Sequence, residues 1–81
     1  MVKVHLPSAL RGLAQGAESV EVDASDVRQL IAELERRFPG LGHEIGTGMA
    51  IAIDGEIIQE PLLERLGPRS EVHFLPPIGG G

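Results

Sequence analysis

The sequence predicts an α+β domain in which one amphipathic helix packs on one face of a mixed β-sheet. Short segments that alternate apolar and polar residues, as half-buried strands do, flank a single segment of helical periodicity. Because a single apolar helical stripe needs only one sheet face to cover it, two layers are the simplest arrangement. The length of 81 residues fits one domain but is too short for the enclosed cleft of a typical enzyme.

The first two strands are predicted to form a hairpin with a long connection. In VKVHL the apolar side chains face one side and the polar ones the other: Val2, Val4 and Leu6 against Lys3 and His5. In SVEVD, Val20 and Val22 are expected to point inward. The intervening SALRGLAQGAE contains Gly12 and Gly16, which we expect to supply turn conformations.

A helix is predicted within ASDVRQLIAELERRFPG. Its apolar residues recur at helical spacing and form one stripe: Val27, Leu30, Ile31, Leu34 and Phe38. Ser25, or alternatively Asp23, is the expected amino-terminal cap, and Asp26 suits the positive end of the helix dipole. Pro39-Gly40 ends the helix.

The remaining segments predict a glycine-rich connection, a hairpin, a helical turn and a final strand. LGHEIGTGM is expected to be the connection, and AIAIDGEII a hairpin closed by an Asp54-Gly55 turn. EPLLERLGPRS is expected to form a short helical turn anchored by three leucines: Leu62, Leu63 and Leu66. In EVHFLP, Val72 and Phe74 are expected to point inward.

The resulting order, β-β-α-β-β-β, with the last strand beside the first, is the β-grasp or ubiquitin-like arrangement. We expect a sheet of four to five strands on one helix. The predicted organisation is a β-grasp domain over residues 1–77 and a flexible diglycine tail over residues 78–81.

Composition excludes several classes of function. The net charge is −5 and there is neither Trp nor Tyr, so the chain lacks the cationic surface and stacking platforms of a nucleic-acid binder. The absence of cysteine excludes disulfides, thiolate metal sites and a cysteine nucleophile. No segment resembles a signal peptide or a membrane span, so we expect no membrane contact and a cytoplasmic location.

No autonomous active site, bound cofactor or metal is predicted. His5 and His73 are expected on outward positions of neighbouring strands, where solvated polar residues are common. Glu33 and Glu35 are two positions apart and cannot share a helix face. The short GTG segment lacks the lysine of a phosphate-binding loop.

The closing PPIGGG has two interpretations that the residues alone leave open. Terminal glycines are often poorly ordered chain ends that do not contribute to folding. However, Pro76-Pro77 holds the chain extended away from the fold, and glycines suit a narrow channel because they lack Cβ. The segment from Ile78 to Gly81 reaches roughly 13 Å at ~3.3 Å per residue, enough to carry a carboxylate into another protein's active site.

Four segments in order resemble the MoaD/ThiS family of ubiquitin-like sulfur carriers, which includes the small subunit of molybdopterin synthase. VKVHLPSALRGLAQG resembles the first strand and loop, DASDVRQLIAELERRFPGL the helix, IAIDGEII the hairpin, and GPRSEVHFLPPIGGG the last strand and tail. The opening LPSALRGL resembles somewhat more closely the carriers that serve cysteine biosynthesis or unassigned pathways. The resemblance leaves open a molybdopterin, thiamine or cysteine-type pathway.

The resemblance implies that the Gly81 carboxylate is adenylated and converted to a thiocarboxylate, with Gly80 as the other residue of the diglycine. This implied chemistry at the carboxylate depends on Gly81 being the last residue. The implied partners are a ubiquitin-activating-type adenylyltransferase, which would hold the ATP and any metal, a sulfur donor enzyme and a sulfur-accepting synthase subunit. The expected partner-binding residues are Pro77, Ile78, Gly79, His73, Leu75, Arg11 and Arg69. The alternatives are a ubiquitin-like modifier conjugated through Gly81 and a non-catalytic interaction module.

Overall fold

The computed structural model describes residues 1–46, 48–58 and 61–75. Its helices and strands are, in chain order, β1 (Val2–His5), α1 (Ser8–Arg11), β2 (Ser19–Val22), α2 (Val27–Arg37), α3 (Leu41–Gly46), β3 (Ala50–Ile53), β4 (Glu56–Ile58) and β5 (Glu71–Leu75). Two 3₁₀ turns lie at Gly12–Ala14 and Pro61–Leu63. No helix in the described ranges has the length and apolar character that crossing a membrane requires.

The strands form one mixed five-stranded sheet in the order β2-β1-β5-β3-β4. β1 and β5 run parallel, with His5 opposite His73, and every other neighbouring pair is antiparallel. The first and last strands therefore lie side by side inside the sheet. This arrangement confirms the predicted β-grasp fold.

The core lies between the helices and one face of the sheet. Alternate residues of β1, β2 and β5 are buried, as predicted, because successive strand side chains point to opposite faces: Val2, Val4, Val22, Val72 and Phe74. From α2 the fully buried residues are Val27, Leu30 and Leu34, whereas Ile31 and Phe38 are half-buried at the margin of the core. The predicted helical stripe is confirmed.

The amino-terminal cap of α2 is Asp26, so the prediction of Ser25 or Asp23 was wrong. Asp26 has extended backbone angles, and its Oδ1 accepts a hydrogen bond from the Gln29 N–H at 2.8 Å. In return, Gln29 Oε1 accepts one from the Ser25 N–H at 2.9 Å. This reciprocal pair provides acceptors for two backbone N–H groups, those of Ser25 and Gln29. It is the pattern of a helix that begins directly after Asp26.

The predicted connection after α2 contains a helix, α3, and that prediction was wrong. The Glu35 carboxylate of α2 reaches its amino terminus and accepts hydrogen bonds from the backbone N–H groups of Gly40, Gly42 and His43. These are donors that a helix start leaves without partners inside the helix. Both large apolar residues of α3 are buried: Leu41 and Ile45.

Two further expectations differ from the structure. The segment after β1 is helical, and Gly12 has a helical φ of −61°, so of the two predicted turn glycines only Gly16 (φ +86°) has a left-handed conformation. Leu62 and Leu63 are 51% and 79% exposed, and only Leu66 anchors its segment in the core. Leu66 is positioned through its N–H, which donates to the Ser25 carbonyl oxygen beside α2.

The hairpin between β3 and β4 is closed as predicted. Asp54 (φ +50°) and Gly55 (φ +84°) are both left-handed, as the tightest hairpin turns require. The Asp54 Oδ1 also accepts a hydrogen bond from the Glu71 N–H at 2.9 Å, which ties the turn to the start of β5.

Candidate functional site

Two histidines lie together on the outward face of the sheet. His5 of β1 and His73 of β5 are opposite each other in the parallel register, and their rings stack with centroids 4.1 Å apart and planes 5° from parallel. His5 Nε2 lies 2.8 Å from Glu71 Oε1, which fixes the orientation of its ring. Their predicted placement on outward positions of neighbouring strands is confirmed.

A shallow groove of about 360 Å³ runs beside this pair, and we call it the histidine groove. Its lining includes Lys3, His5, Arg11, Glu18, His73 and Leu75. Leu75 is the last residue of β5, and in the sequence Pro76 and Pro77 separate it from the predicted tail at residues 78–81. The groove therefore lies at the end of β5 that leads toward the tail.

Arg11 reaches the groove from α1, the short helix that follows β1. Its Nε donates a hydrogen bond to the Leu6 carbonyl oxygen at 3.1 Å, and this partly buried contact fixes the guanidinium plane. Three residues predicted together as partner contacts thus line one surface: Arg11, His73 and Leu75. Their role in partner binding stays a prediction.

Arg69 does not join that surface. It precedes β5, whereas the groove lies at the end of β5 marked by Leu75. The neighbouring Pro68 carbonyl oxygen accepts a hydrogen bond from the Met1 ammonium group, so Arg69 lies beside the start of β1. Because β1 and β5 run parallel, Arg69 and Arg11 lie at opposite ends of this strand pair, and the predicted contact of Arg69 with a partner stays a prediction.

The other predicted site residues lie outside the described residues: Pro77, Ile78, Gly79, Gly80 and Gly81. The roles of Gly81 and Gly80 in the chemistry, and of the other three in partner binding, remain predictions. The described part of the chain ends at Leu75.

Sequence reasoning missed the contribution of Glu71. It is two positions before His73 on the same face of β5, so the alternation of the strand could have indicated it, but its pairing with His5 depends on the strand register. Across the described ranges, no group of three or more His, Cys, Asp or Glu side chains is arranged to hold a metal ion. The histidine groove offers hydrogen-bonding and charged groups suited to binding.

Known proteins share both the sequence pattern and the fold. The model of the ThiS family matches residues 4–81. No curated protein matches the chain. Small archaeal modifier protein 1 from Methanosarcina acetivorans is 28% identical over 99% of this chain and 95% of that one, with a TM-score of 0.83.

A second similar chain is found in a protein–protein complex of subunits 1 and 2 of molybdopterin-converting factor from Helicobacter pylori 26695. It is 28% identical over 99% of this chain and 97% of that one, with a TM-score of 0.71. CysO from Mycobacterium tuberculosis, at 20% identity, has a TM-score of 0.88 over 96% of this chain and 100% of that one, which shows the shared fold. With its fold and nearly its whole length matched, the chain belongs to the ThiS family of ubiquitin-like sulfur carriers.

Proposed function

We propose that this protein carries sulfur as a thiocarboxylate formed at Gly81. The observation that supports this proposal is the family match, which runs through residues 4–81 and so includes the diglycine as well as the folded body. The proposed location is the cytoplasm, where ATP and sulfur donors are available.

The chemistry explains why activation is needed. A carboxylate is a poor electrophile, so its oxygen first attacks the α-phosphate of ATP and releases pyrophosphate, which leaves an acyl adenylate. Sulfur at the oxidation level of hydrosulfide, supplied by a donor enzyme, then attacks the acyl carbon; the bond to AMP breaks, AMP leaves with the bonding electron pair, and loss of a proton gives the thiocarboxylate. The adenylyltransferase supplies the ATP site and any metal. The carrier supplies a tail whose last three residues are glycines, which have no side chain and so can enter a narrow active site.

The test is the mass of the intact protein after co-expression with its adenylyltransferase. Exchange of one oxygen for sulfur adds nearly the same mass as oxidation of Met1 or Met49. A thiol-selective alkylating reagent separates the two, because the chain has no cysteine and only a thiocarboxylate would react.

We expect an alkylated adduct that fragmentation assigns to Gly81. The matched control is a chain that lacks Gly80 and Gly81, which should give no adduct. If the adenylyltransferase releases pyrophosphate in the presence of the carrier and no adduct forms, the thiocarboxylate proposal is wrong. Unchanged function of the shortened chain in cells would favour a plain interaction module.

We propose that the sulfur is accepted by a synthase subunit that binds the carrier. The support is the 28% identity to a chain in the complex of subunits 1 and 2 of molybdopterin-converting factor. Transfer of sulfur from the purified thiocarboxylate to molybdopterin, thiamine or cysteine precursors, each with its synthase, would identify the pathway. Transfer in none of these reactions would contradict the carrier role in biosynthesis.

A second candidate function is protein modification through an amide bond from Gly81 to lysines of other proteins. The 28% identity to small archaeal modifier protein 1 favours it. Lys3 is the sole lysine of the chain, so we expect single attachments in place of lysine-linked chains. Blots of a tagged protein should then show heavier bands that disappear when Gly80 and Gly81 are deleted; a single band would contradict this function.

A further inference from the structure

We propose that the free edge of β2 is a strand-pairing surface for a second copy of this chain, and that Arg37 keeps this surface closed. β2 is the outermost strand of the described sheet, with β1 on one side of it. An outermost strand presents unpaired N–H and C=O groups to which another strand can add. Such pairing is independent of the chemistry proposed for Gly81.

The hydrogen bonds between β1 and β2 show which backbone groups face the open side. The Leu6 N–H donates to the Glu18 carbonyl oxygen at 2.9 Å, one step beyond the pair formed by His5 and Ser19. Bonded and non-bonded pairs alternate along antiparallel strands. The N–H and C=O groups of Ser19 and Glu21 therefore point away from β1, to the side where no other described strand lies.

These edge groups are complementary to the same groups of a second copy. If two β2 strands pair antiparallel about a two-fold axis at Val20, Ser19 of each copy lies opposite Glu21 of the other. Each of these two pairs exchanges two hydrogen bonds, so the pairing has two times two, or four. Two of the four use the Glu21 carbonyl oxygen as acceptor. Val20, a half-buried residue at the margin of the core, would lie opposite its own copy and lose contact with water.

The side chain of Arg37 in α2 already binds that acceptor. Its Nη1 donates to the Glu21 carbonyl oxygen at 2.7 Å, and its guanidinium carbon lies 5.7 Å from the centre of the Phe38 ring. Because neighbouring strands are about 4.8 Å apart, a guanidinium this close to the carbonyl lies in the space of an added strand. Charged side chains protect the sheet edges of many proteins in this way.

Repulsion between copies also opposes pairing. Glu18, Glu21 and Asp23 lie in or directly beside β2, and Lys3 of β1, opposite Glu21, offsets one of these charges. The whole chain carries −5. Salt screens this repulsion, whereas it leaves the volume of the Arg37 side chain at the edge. Measurements at high salt therefore separate the effect of Arg37 from that of the net charge.

The test compares Arg37→Ala with Arg36→Ala. Both variants remove one positive charge from the last turn of α2, but the Arg36 guanidinium bonds to Glu33 of the same helix. Analytical ultracentrifugation in about 1 M sodium chloride, where the screening length is about 3 Å, measures the Kd of the dimer. We expect the Kd to be lower by about tenfold or more for Arg37→Ala than for Arg36→Ala or the unmodified protein, because pairing gains the two bonds to Glu21.

Amide hydrogen exchange shows where the copies meet. In Arg37→Ala the N–H groups of Ser19 and Glu21 should exchange about tenfold more slowly when the dimer forms, because they are then hydrogen-bonded. The N–H group of Val20 faces β1 and should exchange at the same rate in monomer and dimer. The Arg37 side chain is exposed, so circular dichroism should show that the variant remains folded.

Equal Kd values for the two variants would overturn the inference, because an edge that accepts some other extended chain would not bring two copies together. A dimer of Arg37→Ala in which the Ser19 and Glu21 amides exchange as fast as in the monomer would overturn it too, since the copies would meet elsewhere. Dimerisation of the unmodified protein through these amides would show that Arg37 does not close the edge.

Discussion

Glu35 joins two helices through a single carboxylate. Its oxygens accept hydrogen bonds from three backbone N–H groups at the start of α3, at 2.9 Å for Gly40 and Gly42 and 3.3 Å for His43. The N–H of Gly40 does most to lower the pKa of Glu35 below its ordinary value, and those of His43 and Gly42 lower it further against the opposing effect of desolvation. The ionised form is therefore favoured in the folded state.

We predict that Glu35→Gln destabilises the protein in a pH-dependent way. Because the folded-state pKa lies below the unfolded value of 4.5, the contribution of Glu35 is fully present above that pH and is lost as the pH falls through the lowered pKa. Urea unfolding at several pH values measures the difference. The difference in the free energy of unfolding between the two proteins should disappear in acid.

The control for this experiment is Glu56→Gln, which makes the same change on β4, away from α3. A stability gap for Glu35→Gln that stays constant down to strongly acidic pH would contradict the prediction.

At Gly42, α3 lies directly against α2. A Cβ at Gly42 would lie 2.9 Å from the Glu35 Cβ and 3.3 Å from the Ile31 carbonyl oxygen. We predict that Gly42→Ala lowers the free energy of unfolding by about 1–3 kcal/mol, as overpacking does. Chemical denaturation checks this. Gly46→Ala, in the same helix but with open space around the added carbon, should cause no such loss.

At the scale of single residues, the sequence predicted which face a side chain occupies but not its partner. His5 and His73 were predicted on one face, and they are. The pairing of His5 with Glu71 and the separation of Arg69 from the groove depend on strand register and direction, which residue types alone do not determine.

At the scale of elements, α2 was predictable and α3 was not. The eleven residues of α2 carry an apolar stripe long enough to show helical periodicity. α3 has six residues, two of them glycine, and its amino terminus is stabilised by a side chain from another helix. Similarly, leucine composition suggested anchors at Leu62 and Leu63, although both are exposed.

The start of α2 gives a prediction for that helix. Asp26→Ala removes the acceptor of the Gln29 N–H and should lower the free energy of unfolding by about 1 kcal/mol, the usual contribution of such a cap. Ser25→Ala should have little effect, because Ser25 contributes its backbone N–H to the capping pair. Equilibrium denaturation of both variants measures the difference, and an equal loss in the two would contradict the assignment of the cap.

At the scale of the whole molecule, folding depends on joining the first strand to the last. β5 lies between β1 and β3, and its Val72 and Phe74 are buried to 0% and 1% exposure. A chain that ends after Ser70 loses both side chains. Because loss of a large core side chain costs about 2–5 kcal/mol and domains are stable by only about 5–15 kcal/mol, we predict that this chain is unfolded.

A chain that ends after Gly79 should instead keep the melting temperature of the full chain, since every buried core residue in the described ranges lies between Val2 and Phe74. Circular dichroism on heating distinguishes the two truncations. A folded chain without β5, or a large loss of stability without Gly80 and Gly81, would contradict this account.

The overall fold and the family could be predicted because four segments, each weak evidence alone, follow one another in the order of a single topology. The match of the family model over residues 4–81 confirms the family. The boundary predicted between a domain at residues 1–77 and a tail at residues 78–81 stays a prediction, because the described residues end at Leu75.

The stacked histidines also provide a spectroscopic probe of this face. The chain has only three histidines and two phenylalanines as ring-bearing aromatic residues, without Tyr or Trp, so the aromatic region of its proton NMR spectrum is nearly empty. Rings stacked at 4.1 Å shift each other's proton resonances through their ring currents. The arrival of a partner on the sheet face would thus be visible in a few resolved imidazole signals, without any label attached to the carrier.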